Sequence, residues 1–98
     1  MILPTIHLNG TSPEVLFEAY SDMAISLASA IQQMEALPFN ARDYYPQEIG
    51  ESSPTVWNQA VAEMRERIVS LRGVHAEISA IRDSIQSDID ARWKARRP

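Results

Sequence analysis

Two short runs hold the side chains best suited to chemistry. His7-Leu8-Asn9-Gly10-Thr11-Ser12 joins an imidazole, an amide and two hydroxyls around a glycine. Arg42-Asp43-Tyr44-Tyr45-Pro46 joins a guanidinium, a carboxylate and two phenols. The first run ends where Pro13-Glu14 opens a helix, and the amides and dipole of a helix N-terminus attract phosphate or carboxylate. The second has the mix that stacks on flat rings and hydrogen-bonds their polar edges. His7, Asn9, Thr11, Ser12, Arg42, Tyr44 and Tyr45 are therefore the expected ligand-binding residues, for a small anion such as a nucleotide. Each run also has a plainer use. Ser12 or Thr11 can cap the helix while Gly10 permits the turn, and the aromatics can bury over helix ends while Arg42 pairs locally.

Catalysis finds little to work with. The chain has no Cys, which removes disulfides, thiolate metal sites and thiol nucleophiles. Its two histidines, His7 and His75, are far apart in sequence, and neither has acidic or imidazole neighbours at metal-ligand spacing. There is no nucleophile elbow and no carboxylate pair of defined geometry. The expectation is a non-enzymatic protein that needs no metal and no cofactor.

The elements that must hold these runs are helices. Ser12-Pro13-Glu14 supplies a capping hydroxyl, a proline suited to the first helical position and an acid for the positive pole. From there Leu16, Tyr20, Met23, Leu27, Ile31 and Met34 recur at spacings of three and four, a single apolar stripe. Pro38 stops the helix, because the residue before a proline is pushed out of the α region. A second Ser-Pro pair, Ser53-Pro54, opens another helix whose stripe runs through Trp57, Val61, Met64, Ile68, Leu71, His75, Ile78, Ile81 or Arg82, Ile85 and Ile89. Those spacings approximate a heptad, and they cross Gly73 without losing phase, so one continuous helix is expected. Trp57 reads as a core anchor and His75 as a polar residue that sets register on the stripe. Arg92, Lys94, Arg96 and Arg97 around Trp93 read as a solvated basic tail.

The expected organisation is a single helical domain over 1–98: an arm over 1–12, a helix over 13–37, a loop over 38–53, a helix over 54–92 and a basic tail over 93–98. The arm alternates polar and apolar through Thr5-Ile6-His7-Leu8, too short to stand as a lone strand, so Ile6 and Leu8 must pack on a helix or on another chain. The fold class that follows is all-α, a long two-helix antiparallel hairpin with a short extended N-terminal arm, assembling as a helical-bundle oligomer. Oligomerisation is expected from length. At 1.5 Å per residue the second helix outruns the first by about 20 Å. The Ile78, Ile81, Ile85 and Ile89 ladder beyond Gly73 is the stretch expected to lack an intrachain partner and to meet a second copy.

Charge divides the chain. Residues 1–53 hold Arg42 as the only base against seven acids, whereas residues 54–98 hold eight bases and six acids. The halves can guide one another, within a chain or between chains, although exposed ion pairs contribute only about 0–1 kcal/mol each. A net charge of −4 argues against general nucleic-acid binding, and the N-terminus has neither a basic region nor a long apolar run, so no membrane partner is expected.

Thr5-Ile6-His7-Leu8-Asn9-Gly10-Thr11-Ser12 and Arg42-Asp43-Tyr44-Tyr45-Pro46-Gln47, followed by a helix rich in Arg, Glu and Leu, resemble a family of small uncharacterised proteins of tailed phages and prophages. The resemblance covers the arm, the loop and the helix order. It implies a phage protein acting in the cytoplasm of the host cell. Compact phage oligomers bind host immune nucleotides or host proteins, which suggests sequestration of a nucleotide signal. The alternative expectation is a protein–protein adaptor or virion accessory factor in which both motifs are structural.

Overall fold

The computed structural model describes residues 1–7, 10–37 and 55–96. Within them there are two helices, α1 (Pro13–Ala36) and α2 (Thr55–Arg96), and no strand. The molecule is a rod of 76 × 21 × 21 Å. None of the described helices is long and apolar enough to cross a membrane.

α1 begins as its sequence dictates. Ser12 is the N-cap: its Oγ accepts a hydrogen bond from the Val15 amide at 3.2 Å, Pro13 follows it, and Glu14 lies in the first turn. The helix ends at Ala36, one residue ahead of the expected boundary, and Leu37 leaves the α region before Pro38. α2 runs through Gly73 unbroken, for 42 residues. A Cβ placed on Gly73 would meet nothing within 4 Å, so this glycine faces open space and is not there to admit a neighbour.

The two helices pack antiparallel. Glu35 of α1 pairs with Arg72 of α2, and at the other end Pro13 and Glu14 line one groove with Ile89, Arg92, Trp93 and Arg96. From Glu14 to Glu35 is the same count of residues as from Arg72 to Trp93, so the pairing holds one register along α1. In heptad terms Ala24 then stands level with Ile85, Ile31 with Ile78, Leu27 with Arg82 and Tyr20 with Ile89. The burial pattern fits this alignment. Ala24 and Ile85 are the most enclosed residues of the core, at 2% and 1% exposure, with Ile31 and Ile81 also buried.

The stripe on α1 differs from the expected one at one position. Ala24 is buried and Met23 is 41% exposed. Phe17, Tyr20, Ala24, Leu27, Ile31 and Met34 form the inward row, all buried or half-buried. Both readings satisfy three-and-four spacing. The smaller side chain decides between them, because an alanine at the crossing lets α2 come close enough to enclose Ile85.

A larger correction concerns which half of α2 is covered. The expected surface for a second copy, Ile78, Ile81, Ile85 and Ile89, lies instead against α1 within the same chain, with Ile81 and Ile85 buried and Ile78 and Ile89 half-buried. The N-terminal third of α2 is the part that no described helix accompanies. The reason is the connector. Residues 37–54 are too long to force a tight hairpin, so α1 is not tied to the first turns of α2. It settles where four isoleucines and the Glu35–Arg72 pair reward it most.

The arm covers a second side of the same region. Leu3, Pro4, Thr5 and Ile6 border a groove with Ser84, Asp88, Ala91 and Arg92, and Arg92 Nη2 donates to the Ile6 carbonyl at 2.9 Å. Pro4 and Ile6 are half-buried there. Of the two residues expected to anchor the arm, Ile6 packs on α2 and Leu8 lies outside the described residues. The basic tail expected from 93 onward is, through Arg96, the last turns of α2, with Arg97 outside the described residues. Arg92 is exposed and also holds the arm through the Ile6 carbonyl.

Candidate functional site

The turn that joins arm to α1 is closed locally. The Gly10 amide donates to the His7 carbonyl at 3.2 Å, and a Cβ on Gly10 would come within 2.8 Å of His7 Nε2. The close neighbour is the tip of the exposed His7 side chain, which can swing aside, so the turn accepts glycine without demanding it. His7, Thr11 and Ser12 are all exposed. Ser12 has its hydroxyl engaged by Val15 and its carbonyl engaged by the Leu16 amide, so two of the amides that could have met an anion are bonded inside the helix start. Any strong attraction for an anion at this end must come from side chains.

Those side chains arrive from the far end of the sequence. The antiparallel register brings the last turns of α2 to the first turn of α1. Pro13, Glu14, Ile89, Arg92, Trp93 and Arg96 enclose a groove of about 270 Å³. Two guanidiniums against one carboxylate leave it net positive, and the Trp93 ring, 61% exposed, forms part of its wall. Sequence reading missed Arg92, Trp93 and Arg96 as neighbours of the turn. Their separation from it in the chain left no local signal, and only the direction of α1 could have found them.

Of the two expected motifs, only the first falls partly within the described residues. Asn9, Arg42, Tyr44 and Tyr45 lie outside the described residues. Leu37, the last described residue before the loop, is one helix length from Ser12, roughly 36 Å for the 24 residues of α1. The expected meeting of the two motifs at one ligand therefore lies outside the described residues.

A third feature lies at that opposite end. Met34, Glu35 and Leu37 from the end of α1 and Trp57, Val61, Met64, Arg65 and Ile68 from α2 line an open, mainly apolar groove of about 260 Å³. His75 sits half-buried on the same seam, at the level of Met34. Among the described residues no group of three or more His, Asp or Glu could hold a metal ion.

No protein-family model, no curated protein and no solved structure matches the chain.

Proposed function

We propose that the protein is a non-enzymatic binding protein that sequesters a small anionic ligand of the nucleotide class at the end where the arm, the start of α1 and the last turns of α2 meet. The observation that carries this reading is the placement of Arg92, Trp93 and Arg96 beside the first turn of α1. Guanidiniums bind phosphate oxygens through two parallel hydrogen bonds, and an indole face stacks on a base. A groove of about 270 Å³ is at the small end for ligand sites, so the phosphate enters and the base lies outside along Trp93. Exposed His7 and Thr11, close in the chain to the start of α1, offer further polar groups. The resemblance to phage and prophage proteins supports the host cytoplasm as the location and a host immune nucleotide as the ligand.

A second reading, a protein–protein adaptor or virion accessory factor, is favoured by the open apolar groove along Val61, Met64 and Ile68. Thermal shift and calorimetry against a panel of cyclic and linear nucleotides separate the two. A ligand at about 100 times its dissociation constant stabilises by about 2.7 kcal/mol, a shift of several degrees for a chain of this size. Sequestration expects such a shift for at least one nucleotide, reduced in Arg96→Ala and in Thr11→Ala, with Arg42→Ala reporting on any role of the loop. No shift with any member of the panel leaves the adaptor reading in its place.

A further inference from the structure

Arg92 borders two grooves at once. On one side it lines the positive groove with Pro13, Glu14 and Arg96, and on the other it lines the arm's groove with Pro4, Ile6 and Asp88. Its Nη2 donates to the Ile6 carbonyl at 2.9 Å. Neither Arg92 nor Arg96 forms an ion pair among the described residues, although Glu14 shares the first groove and Asp88 stands one turn before Arg92 on α2. The arm is lightly held. Pro4 and Ile6 are half-buried, whereas Met1, Ile2 and Leu3 are exposed. A segment with so few buried contacts opens readily, so its docking responds to whatever binds Arg92.

We propose that the arm is a latch for the positive groove. Seated on α2, its Ile6 carbonyl holds Arg92 in the orientation that grips phosphate, and a bound phosphate in turn holds the arm seated. The latch rests on the reading of this end as an anion site, and it makes Ile6 a positioning residue. Two features of the contact favour help over competition. First, a neutral carbonyl orients a guanidinium without cancelling its charge, whereas a carboxylate in the same place would neutralise it. Second, donors remain. A guanidinium has five N–H groups, and two of its edges each present a parallel pair, with Nη2 belonging to both edges. One hydrogen given to the Ile6 carbonyl leaves the other edge whole for a two-point grip on phosphate oxygens.

The gain comes from order fixed in advance. An unlatched Arg92 samples many rotamers and loses that freedom on binding, whereas a latched one has lost it already. Coupling of this kind is reciprocal, so whatever the arm contributes to ligand affinity the ligand returns to arm docking.

Titration of the full chain with inorganic pyrophosphate and with ATP, followed by NMR, tests the latch. Ile6→Ser removes a half-buried anchor of the arm and alters none of the buried core residues. It should weaken binding of both probes about tenfold, the loss expected when one charge-assisted hydrogen bond is no longer aligned. Pro4→Gly, which loosens the arm at its other half-buried residue, should act in the same direction, and Ile6→Val should bind like the wild type. In an Arg92→Ala background Ile6→Ser should cost nothing further, because the latch acts through that guanidinium. Saturating pyrophosphate should also raise the backbone order parameters of Leu3 and Ile6, and should not do so in Arg92→Ala. Equal affinity in the wild type, Ile6→Ser and Pro4→Gly, with helix content unchanged, overturns the latch and leaves the anion reading standing. Tighter binding by Ile6→Ser means that the carbonyl competes for Arg92, which overturns it too. A tenfold loss that persists in the Arg92→Ala background shows the arm acting through another group and overturns it likewise. Failure of the wild type to bind pyrophosphate or any nucleotide overturns both the anion reading and the latch.

Discussion

The two parts of α2 carry the same pattern and have different surroundings. From Arg72 to Trp93 the helix has α1 along one side and the arm along another, and its Ile85 is 1% exposed. From Trp57 to Ile68 the heptad continues, yet every inward residue is only half-buried. Periodicity tells which face of a helix is inward. It does not tell what covers that face, because coverage depends on where the neighbouring helix begins and ends. The long connector leaves that choice to packing, and packing chose the isoleucines.

The largest effect that sharpens this contrast is a truncation in each part. Ile85→Ala should cost about 2–5 kcal/mol, since it removes a fully enclosed side chain from between α1 and α2. Ile68→Ala, measured by urea unfolding, should cost less than half as much, since Ile68 is only half-buried. Equal losses at the two positions would mean that the parts are equally enclosed and would break the comparison.

Ala24→Leu probes the covered part from the other side. The alanine is 2% exposed and stands level with Ile85, so three extra heavy atoms must push the helices apart, at about 1–3 kcal/mol. Met23→Leu, one residue away and 41% exposed, should be close to neutral. A destabilised Met23 variant beside a neutral Ala24 variant would restore the stripe expected from sequence.

Gly73→Ala tests the junction between the parts. With open space around it, the added methyl meets no neighbour, so the substitution should stabilise by about 0.5–1 kcal/mol and raise Tm by a few degrees. A loss of stability would place another surface against that position.

The smallest expected effect concerns the boundary pair. Glu35 and Arg72 are substantially exposed, so a double-mutant cycle should give at most about 1 kcal/mol of coupling, and salt should reduce it. Its value is as a register marker. A coupling of zero at low salt would remove one of the two fixed points of the α1–α2 alignment.

Much of the local structure was legible. The Ser12 cap, Pro13 at the first turn, continuity through Gly73 and the inward row of α2 follow from rules that act over four residues or one heptad, and all of them stand in the structure. The candidate site was legible in part. His7, Thr11 and Ser12 were singled out from their neighbours at a helix start, whereas the groove that Arg92 and Arg96 share with the first turn of α1 left no local signal, because the two stretches lie more than seventy residues apart.

By itself the sequence determined the two helices of the described residues, where α1 starts, which face of α2 turns inward and that its heptad is unbroken, since hydrogen bonding, capping and side-chain size act locally along the chain. Tertiary structure alone decided that α1 lies over residues 72–93, that the arm is held by Arg92, that Ala24 rather than Met23 meets the core, and that among the described residues Val61, Met64 and Ile68 are less enclosed than Ile81 and Ile85. The physical reason is that a heptad seam accepts a partner at any whole-heptad offset. The offset is fixed by non-local terms, the fit of one alanine against one isoleucine and one cross-helix ion pair, which no window of sequence contains.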